Sequence, residues 1–146
     1  MPKYKVIESS ENKVFKVQVN NLTGNFRTGI RQGFWETGKE LVKTASSEIK
    51  RKKTGKVYKY KGRRIRAGAA GDYPANRSGA NRRSLDFQVH GADELEFGAG
   101  VDYSPFLERG TSKMKARPFL KPSITKNINK LRSNLRNNIR RAIRGR

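Results

Sequence analysis

The sequence contains no cysteine and only one histidine, His90, among its 146 residues. A chain without thiols forms no disulfide, thiolate zinc site or iron–sulfur cluster, and a single imidazole excludes a multi-histidine metal centre. No window approaches the roughly 18 apolar residues of a membrane span. The first residues, 1–5, lack the apolar stretch of a signal peptide, so we expect a protein made in the cytoplasm, with no membrane partner.

Acidic and apolar residues are both scarce. Twelve Asp and Glu stand against 34 Lys and Arg, which leaves a formal net charge of +22. Leu, Ile, Val and Phe total 31 residues, or 21 %, just above the ~20 % below which a highly charged chain is expected to stay disordered. We therefore expect one domain, 1–146, with a thin core, whose self-repulsion is relieved by a polyanion or by further copies of the chain.

Hydrophobic periodicity predicts an α+β fold. Alternating apolar residues predict an N-terminal β-hairpin over 1–21 and a strand pair over 83–101. Apolar residues spaced mostly four apart predict a helix over 22–53 and a longer amphipathic helix over 118–145. Together these elements make a small antiparallel β-sheet against which a long N-terminal helix and a long amphipathic C-terminal helix pack.

Four glycines, Gly24, Gly29, Gly33 and Gly38, interrupt the predicted 22–53 helix. Each costs about 0.8–1.0 kcal/mol of helix stability relative to alanine. Such a series indicates close approach of another backbone or a bent helix. A frayed N-terminal half is the alternative.

Positive charge is concentrated in two stretches that contain no acid. Ten bases lie within 50–66 and twelve within 113–146. We expect 54–82 to form a basic, glycine-rich loop that is mobile before assembly, although Val57 to Ile65 could form a short ribbon around a glycine turn. Tyr58 and Tyr60 alternate with lysines, as in a stacking platform for nucleic acid. The candidate contacts with DNA or an acidic partner are Lys50, Arg51, Lys52, Lys53, Lys56, Lys59, Lys61, Arg63, Arg64, Arg66, Arg82 and Arg83.

The sequence gives little support to an enzyme. Asp93, Glu94 and Glu96 could form a carboxylate pair or a hard-metal site, but surface charges that balance nearby arginines are the favoured interpretation. His90, at a strand end, is more typical of a turn residue than of a general base. The glycines of 98–100 lack the spacing of a phosphate-binding loop. We predict no catalytic residue, no metal ligand and no cofactor.

One stretch carries a long and specific motif. Residues 101–111 read Val-Asp-Tyr-Ser-Pro-Phe-Leu-Glu-Arg-Gly-Thr, and 113–122 read Lys-Met-Lys-Ala-Arg-Pro-Phe-Leu-Lys-Pro. This motif resembles that of the small head–tail joining, or tail-completion, proteins of long-tailed bacteriophages, with Ser104 where the family usually has alanine. The motif residues are Tyr103, Pro105, Phe106, Glu108, Gly110, Thr111, Arg117, Pro118, Phe119 and Pro122.

The resemblance extends over about 22–135 and includes 73–85, where the family has a proline, a short loop and a step into a strand. Here Ser78 stands in place of the family's threonine. The resemblance implies a structural virion protein that forms a ring, hexameric in the family, at the neck or tail end. It implies portal, adaptor, tail-terminator or tail-tube proteins as partners, and DNA in the lumen. The alternative is a basic module that binds nucleic-acid phosphates without sequence preference.

Elementary chemistry gives the motif an interpretation of its own. A glycine at 110 favours a left-handed cap after a helical turn over 102–111. Tyr103 and Phe106 are expected to wedge that turn against the sheet, and Phe119 to anchor the last helix. Glu108 is the only acid after Asp102, so we expect it to pair with an arginine such as Arg117, within the chain or across a subunit boundary.

Overall fold

A computed structural model of the chain describes residues 4–8, 14–19 and 26–144. Six strands and four helices lie in these ranges. They follow one another as β1 (Tyr4–Glu8), β2 (Val14–Val19), α1 (Phe26–Lys50), β3 (Val57–Tyr60), β4 (Arg63–Arg66), α2 (Ala80–Arg83), β5 (Leu85–His90), β6 (Glu94–Ala99), α3 (Ser104–Arg109) and α4 (Leu120–Ile143). The predicted α+β class, with its long N-terminal and C-terminal helices, is confirmed.

The main sheet is antiparallel, with strand order β1-β2-β6-β5. Phe97 of β6 stands opposite Phe15 on one side and Phe87 on the other. Because side chains alternate along a strand, this phenylalanine row belongs to one face, which packs against α1. The other face carries the row of Lys16, Glu96 and Gln88. The sheet therefore has an apolar inner face and a polar outer face.

The two long helices pack along each other over the inner face of the sheet, α1 directly against β5 and β6. Ile30, Phe34 and Leu41 from α1 join Leu131 and Leu135 from α4 in the core. A thin apolar composition suffices because most of the apolar residues in each helix lie on one stripe, which is buried between the two helices and the sheet.

Gly29 and Gly33 let the helix backbones approach closely, which is one of the alternatives that the sequence left open. A Cβ atom added at Gly29 would lie 2.7 Å from the Asn138 carbonyl oxygen, and one at Gly33 would lie 3.1 Å from the Leu135 Cα. Gly38 makes room instead for the ring of Phe87. Gly24 lies outside the described residues.

The expected open loop over 54–82 is wrong for its first half. β3 and β4 form a separate two-stranded antiparallel sheet, the ribbon, in which Tyr58 stands opposite Ile65. At its tip Lys61 and Gly62 have φ values of 47° and 77°, the positive pair that a tight two-residue hairpin turn requires. The ribbon that the sequence offered as an alternative is the observed structure.

Candidate functional site

Glu108 caps the last helix from a distance. Its Oε2 accepts hydrogen bonds from the backbone N–H groups of Phe119 (2.8 Å) and Leu120 (3.0 Å), and its Oε1 accepts one from Lys121 (3.0 Å). The first N–H groups of any helix have no partner inside it, and their positive end favours an anion. The first turn of α4 carries no acid of its own. A buried carboxylate on α3 therefore supplies the cap that α4 lacks.

The expected ion pair between Glu108 and Arg117 is wrong within the chain, and pairing across a subunit boundary stays a prediction. The Arg117 Nε donates to the Gly68 carbonyl at 2.7 Å, and its backbone N–H donates to the Leu107 carbonyl at 2.7 Å. Three backbone donors already satisfy Glu108, so the carboxylate needs no cation. Arg117 instead ties the motif to the 67–71 segment.

The turn after α3 depends on a glycine. Gly110 has φ 79° and ψ 179°, a positive φ as expected, although this ψ differs from that of a left-handed helical cap. A Cβ atom there would lie 2.7 Å from the Ala116 nitrogen. Thr111 closes the turn, since its Oγ1 accepts hydrogen bonds from the backbone N–H groups of Lys113 and Met114. The motif thus joins two helices through a short, tightly bonded connection.

The aromatic residues of the motif divide between inside and outside. Phe119 is fully buried and anchors the start of α4, as expected. Tyr103 and Phe106 are 44 % and 56 % exposed, so the expectation that they wedge the turn against the sheet is wrong. Pro105 and Pro118 are half-buried. Pro122 lies in the first turn of α4, where a missing N–H donor costs least.

A cleft of about 230 Å³ lies between residues 74–81 and the motif, with one ribbon residue, Tyr60, also in its wall. Tyr60, Tyr103, Leu107 and Arg117 are among the side chains that line it. Asn81, also in its wall, accepts a hydrogen bond from the Ser104 hydroxyl, while its amide nitrogen is buried without a partner. That nitrogen is closed to solvent, so the cleft offers no accessible polar group of Asn81 to a ligand.

Ten of the twelve candidate basic contacts are exposed. Lys53 is the main exception, because its ammonium is buried and donates to the Glu48 carbonyl at 2.8 Å. Burial lowers the pKa of Lys53 below its ordinary value. Arg82 is half-buried. Lys53 is therefore not accessible to a phosphate, and the most exposed candidate charges lie on the ribbon and its flanks.

The two ribbon tyrosines do not form an open stacking platform. Both are half-buried on the inward face of β3. The guanidinium of Arg77 lies 4.8 Å from the Tyr58 ring centre, and the Lys61 ammonium lies 5.7 Å from that of Tyr60. Cations of the chain itself thus occupy positions on these rings.

Acidic residues collect on a different part of the molecule. Residues 84–108 contain six of the twelve acids and no Lys or Arg. Ligand atoms of His90, Glu94 and Glu96 lie within 4.8 Å of one another on the outer face of the sheet. The Lys16 ammonium lies 3.3 Å from Glu94 and 3.7 Å from Glu96. Because the Lys16 ammonium contacts both carboxylates and His90 contacts Glu96, we interpret the cluster as an ion-pair network rather than a metal or catalytic site.

The outer face also contains a shallow groove of about 250 Å³. Gly98 and Gly100 line it without side chains, and Asp86, Gln88 and Glu96 line it as well. Asp86 stands directly opposite Gly98 across the strand pair, and Glu96 is two residues before Gly98 on β6. Two carboxylates thus flank a hollow over a glycine, which we call the Gly98 groove.

The chain matches no protein-family model, and neither a curated protein nor a solved structure shows a significant match to it. Within the part of the chain that the structure describes, no helix has both the length and the apolarity needed to cross a membrane.

Proposed function

We propose that this protein is a structural subunit of a tailed-phage virion. It assembles with further copies of itself into a ring at the head–tail neck or the tail end, and so joins head to tail or completes the tail. The observation that carries the proposal is the 101–122 motif, whose resemblance is to proteins with that role and whose Tyr103 and Phe106 remain on the surface. The protein acts by association and catalyses no reaction.

The support for an interface comes from how the exposed aromatics are held. Large exposed apolar side chains that cluster mark interaction sites, and buried aromatics dominate the energy of many interfaces. Tyr103 and Phe106 lie at the beginning of α3. The helix is held at its other end, because Glu108 accepts hydrogen bonds from the start of α4 and Gly110 forms a tight turn. Side chains on a backbone that is already rigid lose less conformational entropy on association, so they contribute more to affinity.

Phe106→Ser is expected to weaken self-association at least thirtyfold, because an aromatic anchor of an interface contributes about 2 kcal/mol or more. Ile143→Ser is the matched control, since Ile143 is likewise 56 % exposed but lies at the far end of α4. Sedimentation velocity over a concentration series measures the effect. A wild-type protein that stays monomeric throughout, or equal effects of the two variants, would contradict the proposal.

Non-specific nucleic-acid binding is the second candidate function. It is favoured by the ribbon, where Lys59, Lys61, Arg63 and Arg64 are all exposed and the whole stretch 50–66 contains no acid. If this is the main function, the logarithm of duplex affinity falls with that of salt with a slope of about −0.9 per phosphate neutralised. Rings that form without DNA favour assembly, whereas micromolar, salt-sensitive duplex binding by a monomer favours this second function.

A further inference from the structure

We propose that the Gly98 groove of one copy receives the cationic ribbon of a second copy, in a head-to-tail contact. The inference rests on the proposed function, because it names the surfaces through which copies of this chain associate. It concerns a different surface from the exposed aromatics of α3. The occupant is the outward side of the ribbon, where Lys59 and Arg64 lie.

The acidic side chains that line the Gly98 groove favour a cation. Asp86 is exposed and has no ion pair within the described residues, and one of its carboxylate oxygens accepts only the neighbouring Phe87 N–H. Glu96 also lines the groove, and its carboxylate contacts the Lys16 ammonium at 3.7 Å and the His90 Nε2 at 3.3 Å. Carboxylates that line a groove suit an ammonium or a guanidinium, which presents several donors. A phosphate would be repelled there.

No described helix or strand packs on the face of the sheet that holds the groove. Both long helices pack on the same side of the sheet, over the phenylalanine row. The outer face carries no packed element among the described residues, and Asp86 and Gln88 on it are exposed. A partner can therefore reach the groove without displacing any element that the structure describes.

The ribbon carries exposed positive charge that has no anionic partner among the described residues. Lys59 and Arg64 stand directly opposite each other across the strand pair, and both are exposed. Like charges at directly opposed positions destabilise a strand pair. Neither residue has an ion pair within the part of the chain that the structure describes. The ribbon therefore gains from an anionic surface supplied from outside the chain.

Charge complementarity selects a second copy as that surface. Each copy carries the acidic Gly98 groove and the basic ribbon at different places. When the ribbon of one copy binds the groove of a second copy, the groove of the first and the ribbon of the second stay free. Such heterologous contacts propagate from copy to copy and close into a ring when the rotation permits. Nucleic acid could occupy the ribbon but could not use the groove.

A charge-swap experiment tests the pairing. The groove variant is Asp86→Lys and the ribbon variant is Lys59→Glu with Arg64→Glu. Each alone presents like charges at the contact, so its self-association measured by sedimentation velocity is expected to weaken about tenfold or more. An equimolar mixture restores opposite charges at both contacts, because the reversed groove meets the reversed ribbon. The mixture is expected to assemble as the wild type does, which also shows that both variants fold.

Asp93→Lys is the matched control, because Asp93 is an exposed acid of the same hairpin that does not line the groove. It is expected to change self-association less than twofold. Wild-type assembly by both swap variants overturns the inference and leaves the proposed function intact. Loss of duplex binding alone in the ribbon variant overturns it in favour of nucleic acid. A monomeric wild type overturns the inference and the proposed function together.

Discussion

Glu108→Ala is expected to lower the free energy of unfolding by about 2–4 kcal/mol. Loss of a helix cap costs about 0.5–2 kcal/mol, and each buried donor left without a partner adds to that. Here three backbone N–H groups lose their acceptor, and those of Phe119 and Leu120 belong to fully buried residues. For a chain of this size, we expect the midpoint of thermal unfolding, Tm, to fall by roughly 10 °C, which circular dichroism measures.

Two controls define this result. Glu108→Gln keeps one carbonyl acceptor and the shape of the side chain, so it is expected to lose less stability than the alanine variant. Glu40→Ala removes a partly exposed acid that lies 3.0 Å from the Lys130 ammonium, and a pair of this kind contributes about 0–1 kcal/mol. An alanine variant at 108 that melts with the wild type would refute the capping role.

Gly29→Ala is expected to destabilise the protein by about 1–3 kcal/mol, although alanine is the better helix former by about 0.8–1.0 kcal/mol. The added Cβ would lie 2.7 Å from both the Asn138 carbonyl oxygen and the Ile139 Cα. These are backbone atoms of α4, so they move only if the two helices separate. Urea unfolding of the purified variant measures the change.

Gly100→Ala is the matched control, because the nearest atom to its added Cβ is the Ser84 Cβ at an ordinary 3.7 Å. Its stability is expected to stay within about 0.5 kcal/mol of the wild type. Gly33→Ala should fall between the two, since its contacts begin at 3.1 Å and include the movable side chain of Leu135. A stability gain at Gly29 would mean that helix propensity outweighs the helix contact.

The helices and their packing were predictable because the signal is local. Apolar residues repeat every three to four positions in 120–143, and the structure buries that stripe against α1. The glycine series also indicated close packing as one alternative, because each glycine costs helix stability and close backbone approach can offset that cost. The end of α1 was less clear. The helix stops at Lys50, and Lys53 folds back to the Glu48 carbonyl, a side-chain contact that periodicity does not reveal.

The sequence did not identify the groups that bind the Glu108 carboxylate. A signal was present, because a lone acid precedes a helix whose first turn has none. However, a nearby arginine offered a simpler partner, and only the backbone path from 108 to 119 shows that the carboxylate reaches three N–H groups. The exposure of Tyr103 and Phe106 was missed for a related reason: aromatic residues predict burial in general, and only the orientation of α3 places them outside.

The distribution of charge was predictable in amount but not in geometry. The sequence shows two acid-free basic stretches, and an acidic spot at 93–96. The pairing of β5 with β6 brings Asp86 across from Gly98 and close to Glu96, which no spacing along the chain indicates. The ribbon likewise sets Lys59 against Arg64. Strand register therefore turns a compositional excess into two distinct surfaces.

Electron microscopy of the purified protein in the absence of DNA tests the central claim most directly. If the chain is a ring-forming structural subunit, the particles are closed rings with rotational symmetry and one number of copies. Monomers at every concentration, or particles that form only when nucleic acid is added, would contradict it.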